Sequence, residues 1–463
     1  MLEFLNTIRK FIISLFGTNI PEENDWGSYE LDSLMPREAL LLRASRIMFW
    51  GAIVNLLAGI VCVLIAISAG TNNATLFTSM RNILLTNFII ADDTALLLVI
   101  VGIGSNMAVL LVLSVVIVAQ EFWTIFVAWI LTLLNIIALF VIGFLPAILA
   151  IVPLGIVGFI TLADMRAFRM NPVMLKELRG RMRGVRGFAI ITIFLSLMSF
   201  FTILLYLLRL PSGGVVVTGE LGRMLFVGVL FIELMLIIFI VPALTAGAIT
   251  SERERKTYDL LQMTLISKAT FVVGKMQSAL GYIVLLLLSA IPLQSIAFLF
   301  GGVSESELIL ALIVLTISAI TLGAFGMFFS SITDSTLSAT VRSYTVAMAI
   351  TIGLPITAFI LFRGAYGNVV NNIATNVSNS PIVESAYIYF DMILSSLNPI
   401  TATIYSQQML IDHQQLIVMR VTLSSNGAQI PILSPWVLLT VFYLSITAIL
   451  VLLSIRRMER QGE

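Results

Sequence analysis

One charged stretch interrupts an otherwise apolar chain, Ala248-Ile-Thr-Ser-Glu-Arg-Glu-Arg-Lys-Thr-Tyr-Asp-Leu-Leu-Gln-Met-Thr-Leu-Ile-Ser267. The sequence then continues to Gly274-Lys275, and long hydrophobic segments flank the stretch on both sides. Because ionised side chains are costly inside a bilayer, a charged segment between two membrane spans must lie at the membrane surface. Another protein can reach it there, so this stretch is the first candidate for a functional contact.

The composition is typical of a helical membrane protein. Of the 463 residues, 59% are hydrophobic and 11% are charged, and the mean hydropathy is +1.06. Soluble domains carry about 25% charged residues. The apolar segments are about 20 residues long, which suits a helix that crosses a hydrocarbon core of about 30 Å. A transmembrane β-barrel would instead show alternating strands of about 10 residues. The sequence therefore predicts an all-α polytopic membrane protein.

Ten membrane spans are predicted from the apolar segments. Their approximate limits are 47–69, 95–118, 122–142, 146–163, 188–208, 224–247, 276–300, 308–330, 344–362 and 435–455. The run 122–163 contains no charge, but its length requires two crossings, and Gly143 and Pro146 supply a turn between them.

The positive charges predict the orientation of the chain in the membrane. If residues 1–46 are cytoplasmic, 21 of the 26 Lys and Arg residues lie on the cytoplasmic side. The opposite orientation reverses this ratio. Both termini are therefore predicted to be cytoplasmic.

The spans divide the chain into three regions. Residues 1–46 form a cytoplasmic segment, in which residues 1–17 predict an amphipathic helix on the membrane surface. Residues 47–165 form a four-helix transmembrane region that acts either as an accessory scaffold or as a docking unit for a partner. Residues 166–463 form a six-helix core with a long outer loop, 363–434. In this loop we expect either short helices that enter the outer leaflet or a small soluble cap.

A basic amphipathic helix is predicted at the start of the core, over residues 171–186. Asn171 is a good N-cap and Pro172 a good first helical residue. Its basic side chains suit an anionic membrane surface. Those of most interest are Lys176, Arg179 and Arg183. The charges fit two interpretations equally well, a helix that takes part in gating and an anchor that only sets the topology.

The order of residues in 248–275 resembles the coupling segment of ABC-2-type transporter permeases. The matching residues are Glu252, Arg253, Glu254, Thr257, Leu260, Leu261, Gly274 and Lys275. Lys256 stands where the family usually has Gly, and Leu265-Ile266 where it often has Pro. The Asn-Pro-Val start at residue 171 resembles the elbow helix of the same family. We therefore call 248–275 the coupling segment and 171–186 the elbow helix; the resemblance covers about residues 168–457.

The resemblance implies the permease subunit of an ATP-driven transporter. In that family the coupling helix seats in a groove of a cytoplasmic ABC ATPase subunit, and closure of two ATPases moves the spans of two permease subunits. The second permease would be another copy of this chain or a homologue. The chain has no Gly-x-x-x-x-Gly-Lys-[Ser/Thr] phosphate loop, so ATP and Mg are expected in the partner ATPase.

No cofactor or catalytic residue is expected in the chain itself. It contains a single His and a single Cys, too few to build a typical structural metal site. The net charge of +1 gives no reason to expect a nucleic-acid partner. Membrane lipids are expected to contact the basic elbow helix.

Local patterns predict how the coupling segment is built. Ser251 and Glu254 have the spacing of a capping box, which predicts a helix start at Ser251. Glu252 and Lys256 are four residues apart in the order that favours an ion pair, worth about 0.3 kcal/mol. Such pairs stabilise a helix only weakly, so recognition of a partner explains the many charges better than stability does.

Tyr258 and Leu261 follow at helical spacing and could anchor such a partner, because interfaces are enriched in Tyr. The alternative is a solvated loop whose charges only enforce the topology. The predicted coupling residues are Ser251, Glu252, Arg253, Glu254, Arg255, Lys256, Thr257, Tyr258, Asp259 and Leu261.

Glu233 is the one acidic residue that falls well inside a predicted span. A charge at the centre of a bilayer costs about 2.5–3.5 kcal/mol on insertion scales, so this carboxyl group must face protein or water, or be protonated. It belongs either to a translocation path, together with Gln294, or to a neutral hydrogen bond between spans.

These observations favour a permease subunit, without enzymatic activity of its own, of an exporter in the plasma membrane of a prokaryote. Two other classes stay open. The four additional spans fit an integral scaffold or assembly subunit that does not transport, and Glu233 permits an ion-coupled secondary carrier.

Overall fold

The computed structural model describes residues 36–69, 94–119, 122–163, 171–183, 185–208, 218–258, 266–359, 381–413, 416–422 and 429–460. Within these residues, nine helices are long and apolar enough to cross a membrane, and one shorter apolar helix covers 145–159. The all-α polytopic fold is thereby confirmed. The amphipathic helix predicted for residues 1–17 lies outside the described residues.

Four helices precede the core. They are α1 (Pro36–Ala69), α2 (Thr94–Val116), α3 (Phe122–Ile137) and α4 (Ile148–Ala163). The predicted turn in the uncharged run is present, because Gly143 has a φ of 75°, a conformation that glycine adopts without steric cost. A π-helical turn, Ala138–Ile142, precedes it and a 3-10 turn, Leu145–Ala147, follows it.

The core contains the elbow helix, the coupling segment and the remaining spans. Its helices are α5 (Pro172–Met182), α6 (Val185–Leu208), α7 (Thr218–Thr245), α8 (Thr250–Glu254), α9 (Lys268–Leu299), α10 (Glu305–Ile332), α11 (Thr336–Met348), α12 (Leu354–Phe359), α13 (Pro381–Ser396), α14 (Pro399–His413) and α15 (Pro435–Arg460). A π-helical turn, Ala349–Gly353, joins α11 to α12.

The ninth span begins earlier than the sequence predicted, at Thr336 and not at residue 344. Its start is set by Ser335, whose side-chain oxygen accepts a hydrogen bond from the backbone N–H of Ser338 at 3.3 Å. This is the usual arrangement of a serine N-cap. Because the first turns of this helix are polar, hydropathy alone does not reveal where the helix begins.

The N-terminal helices pack on the core through α2 and α15. One buried apolar cluster includes Leu110 of α2, Val272 of α9 and Val451 of α15. A Cβ atom at Gly104 of α2 would lie 3.4 Å from the side chain of Val441 of α15. The last core span is therefore covered on one side by the N-terminal helices.

The described residues of segment 363–434 contain α13, α14 and a hairpin that the sequence did not predict. Strands β1 (Val418–Thr422) and β2 (Gln429–Leu433) pair antiparallel, with Val418 opposite Leu433. Asn398 ties this region to the ninth span. Its side-chain oxygen caps α14, while its amide donates to the carbonyl of Ile350 at 2.7 Å, within the π-helical turn.

Candidate coupling site

The start of the coupling helix α8 is held by a neighbouring helix. Ile249 is the N-cap residue, and its side chain makes no cap. The backbone N–H groups of Ile249 and Thr250 instead donate to the side-chain oxygen of Ser330 on α10, at 2.8 and 3.1 Å. The capping box predicted at Ser251 and Glu254 is therefore wrong. A serine distant in sequence satisfies the free N–H groups, which local spacing cannot reveal.

Arg253 ties the coupling helix to the end of α10. Its guanidinium donates to the carbonyls of Ser331 and Thr333, each at 3.0 Å. A cation at a helix C-terminus satisfies free carbonyls and complements the helix dipole. The same guanidinium lies over the ring of Tyr258, with 5.2 Å between its central carbon and the ring centroid.

Glu254 ties the coupling helix to the start of α11. Its carboxylate accepts hydrogen bonds from the backbone N–H of Thr336 at 2.7 Å and from the hydroxyl of that residue at 2.9 Å. The backbone hydrogen bond, and then the hydroxyl, lower the pKa of Glu254 from its ordinary value. An anion at a helix N-terminus is also stabilised by the helix dipole.

Glu252 faces the protein interior and not Lys256. Lys275 of α9 donates to its carboxylate at 3.1 Å and to the carbonyl of Ala248 at 2.8 Å, and the hydroxyl of Thr257 also donates to the carboxylate. Burial raises the pKa of Glu252, but the hydrogen bond from Thr257 and the charge of Lys275 outweigh this effect, so the pKa lies below its ordinary value.

The elbow helix begins as predicted. Asn171 is the N-cap of α5, its side-chain oxygen accepts from the N–H of Val173 at 3.0 Å, and Pro172 is the first helical residue. The amide of Asn171 donates to the carbonyl of Thr270 on α9 at 2.8 Å. The helix ends at Met182, before the predicted limit of 186, because Arg183 has an extended backbone.

Glu177 joins the elbow helix to the coupling site. Its carboxylate lies 2.7 Å from the Lys275 ammonium and 3.8 Å from the Arg181 guanidinium. Arg181 in turn donates to the carbonyl of Leu244 near the end of α7 at 3.4 Å. Sequence reasoning missed Glu177, although it is the one carboxylate in an otherwise basic helix.

Lys275 is therefore the centre of the site. Its side chain is 4% exposed, and it joins Glu177 of the elbow helix, Glu252 of the coupling helix and its own span, α9. We call these three residues the buried ion cluster. Because Arg181 also lies beside Glu177, two cations face two carboxylates.

The predicted contact residues fall into two groups. Arg253, Glu254 and Tyr258 are engaged within the chain, and Tyr258 is only 8% exposed. Arg255 and Lys256 are exposed, as are three residues of the elbow region, Lys176, Arg179 and Arg183. Ser251 and Thr257 are half-buried. Asp259 and Leu261 lie outside the described residues.

Lys256 has a φ of 58°, the left-handed conformation that favours glycine. We expect Lys256→Gly to raise the free energy of unfolding by about 0.5–1 kcal/mol, because glycine removes the steric cost of this conformation. Thermal unfolding in detergent would measure the change. Arg255→Gly is the control, since Arg255 has a φ of −80° and gains nothing from glycine. An equal or lower stability of Lys256→Gly relative to wild type would contradict the strain.

The structure also brings Glu233 and Gln294 together. Both are fully buried, on α7 and α9, and the amide of Gln294 donates to one carboxyl oxygen of Glu233. The other carboxyl oxygen of Glu233 and the amide oxygen of Gln294 have no partner among the described residues. This geometry fits a hydrogen bond between spans, and a role in a translocation path stays a prediction.

The fold and the site define a multi-pass membrane protein, in which a short charged helix is joined to several spans. A model of the family described as "ABC-2 family transporter protein" matches residues 171–462. The chain belongs to this family and is a permease of ABC transporters, as the resemblance predicted. The match begins at the N-cap of the elbow helix. Comparisons with curated proteins and with solved structures found no match.

Proposed function

We propose that this chain is the membrane subunit of an ATP-driven exporter, energised by separate cytoplasmic ABC ATPase subunits that dock on the coupling segment. The ATPases bind ATP and Mg, and a second copy of this chain or a homologue completes the pathway. The protein resides in the plasma membrane of a prokaryote with both termini in the cytoplasm. Sparse charge within the spans favours an apolar or amphipathic substrate.

The observation that carries this proposal is the buried ion cluster. A force on α8 would reach α9 through the contact of Glu252 with Lys275, and the elbow helix through Glu177. It would reach α10 and α11 through Arg253 and Glu254. A helix with only a topological role would not need connections to four other helices. The connections therefore support transmission of movement.

The docking surface is formed by the exposed cations of the coupling segment, Arg255 and Lys256. Both residues lie in the turn that follows α8, whereas the neighbouring Arg253 and Tyr258 contact each other and pack within the chain. Two exposed cations fit an acidic groove on the ATPase, because complementary charge steers and orients association.

The double variant R255E/K256E tests the docking. We expect its affinity for the ATPase subunit to fall by about tenfold, because two attractive charges become repulsive. Affinity is measured by titrating the ATPase onto the reconstituted permease. The control is R456E/R457E, which reverses two exposed charges near the end of α15. Unchanged affinity in R255E/K256E, in a protein that unfolds at the wild-type temperature, would reject the docking surface.

The same preparations separate this proposal from the two other classes. An exporter subunit transports only with the ATPase and hydrolysable ATP. An ion-coupled carrier would continue to transport without the ATPase when an ion gradient is imposed. A scaffold subunit would bind its partners without transport under either condition.

A further inference from the structure

An apolar groove lies at the membrane face opposite the coupling segment. Its volume is about 810 Å³, within the range of about 300–1,000 Å³ for small-molecule sites. It lies between the end of α6, the first turns of α7 and the turn that joins α9 to α10. The lining residues used below are Leu205, Arg223, Val227, Phe231 and Gly302.

Close backbone contacts shape the polar end of the groove. Gly302 has a φ of 82°, and a Cβ atom at this position would lie 2.1 Å from the carbonyl oxygen of Gly219. A Cβ atom at Gly222 would lie 2.1 Å from the carbonyl oxygen of Gly301. The turn therefore packs directly on the backbone of α7.

The remainder of the groove is open to hydrocarbon. Val227 is 37% and Phe231 is 46% exposed, and both lie on the same side of α7 as Arg223. Exposed apolar side chains within a membrane span contact lipid and not water. An acyl chain is therefore the natural occupant of this part of the groove.

Arg223 gives the groove a charged end. Its Nε atom is buried and has no hydrogen-bond partner among the described residues. A buried donor without a partner is costly, and the guanidinium group binds phosphate oxygens in a bidentate manner. Glu220 lies one helical turn before Arg223 in α7. The Nε donor of Arg223 nevertheless stays unused among the described residues, and it is suited to a phosphate oxygen.

We propose that this groove binds an anionic phospholipid of the leaflet opposite the coupling segment, with its phosphate on Arg223 and an acyl chain along Val227 and Phe231. The single cation selects for a negatively charged head group, while the apolar walls select for a lipid over a free anion. The proposal is independent of the ATPase and of the direction of transport.

The test uses the full chain and phosphatidylglycerol. Wild type, R223Q and V227W are purified in detergent and titrated with phosphatidylglycerol or phosphatidylcholine, and native mass spectrometry measures the bound lipid. R223Q removes the charge, and V227W fills the groove from its lipid-exposed side. R457Q is the control, because it removes an exposed arginine outside the groove. Thermal unfolding verifies that each variant is folded.

We expect phosphatidylglycerol to bind more tightly than phosphatidylcholine and to lose about tenfold in affinity in both groove variants but not in R457Q. Equal affinity for the two lipids, or undiminished binding in a folded R223Q, would overturn the proposal. Displacement of the lipid by inorganic phosphate would also overturn it and would assign the site to a free anion. If R223Q does not fold, V227W decides the outcome alone.

Discussion

Replacement of Lys275 by Met is expected to lower the free energy of unfolding by about 2–3 kcal/mol. The change leaves two carboxylates, Glu177 and Glu252, without their shared cation, and removal of one partner from a buried pair is strongly destabilising. The expected loss lies below the usual range of about 3–5 kcal/mol because the two carboxylate side chains are 22% and 27% exposed and keep some contact with water. Chemical denaturation in detergent would measure the loss.

The K275M variant is expected to distinguish binding of the ATPase from transmission of movement to the spans. Arg255 and Lys256 remain in place, so the ATPase should still bind, while ATP-dependent transport should fall because α8 has lost its contact with α9. K268M is the control, since Lys268 lies at the start of the same helix. Wild-type transport in K275M would contradict the role of the buried ion cluster. A triple variant with Glu177→Gln and Glu252→Gln should recover part of the stability, because it removes the two carboxylates that lost the Lys275 ammonium.

Substitution of Gly274 by Ala is expected to destabilise the protein by about 1–2 kcal/mol. A Cβ atom at this position would lie 2.6 Å from both heteroatoms of the Asn171 amide. The Asn171 amide must therefore move. This movement breaks the N-cap of the elbow helix and the hydrogen bond from Asn171 to Thr270, each of which contributes about 1 kcal/mol. The higher helix propensity of alanine offsets up to about 1 kcal/mol of this loss.

Gly281→Ala on the same helix is the matched control. A Cβ atom there would lie 3.5 Å from the side chain of Leu178, an ordinary contact. We therefore expect a gain of up to about 1 kcal/mol in this control. In an Asn171→Ala background, Gly274→Ala should no longer be costly, because the clashing amide is absent. If the effects of the two substitutions on stability are additive in the double variant, the two residues do not interact.

Much of the fold follows from patterns that act locally. Hydrophobic length predicted the spans, the Gly143 turn follows from the conformational freedom of glycine, and Asn171-Pro172 marks the start of the elbow helix through its own backbone. The family was also accessible from the order of residues in the coupling segment. Each of these signals depends on residues close together in sequence.

The site illustrates what local patterns omit. Ser251 has the correct spacing to cap α8, yet Ser330 does so from a different helix. Tyr258 has the character of an interface anchor, yet it is buried beneath Arg253. A sequence motif indicates which side chains can form a hydrogen bond. In the folded protein, side chains from other helices compete for the same donor or acceptor.

The sequence by itself determined the helical type and approximate positions of the long apolar segments, the membrane class and the position of the charged segment, because transfer from water to lipid depends on composition and length. Only the tertiary structure decided that Lys275 is shared by Glu177 and Glu252, and that Arg255 and Lys256 remain exposed. The physical reason is that a buried charge must find its partner in space, and residues 177, 252 and 275 meet only after three helices have packed together.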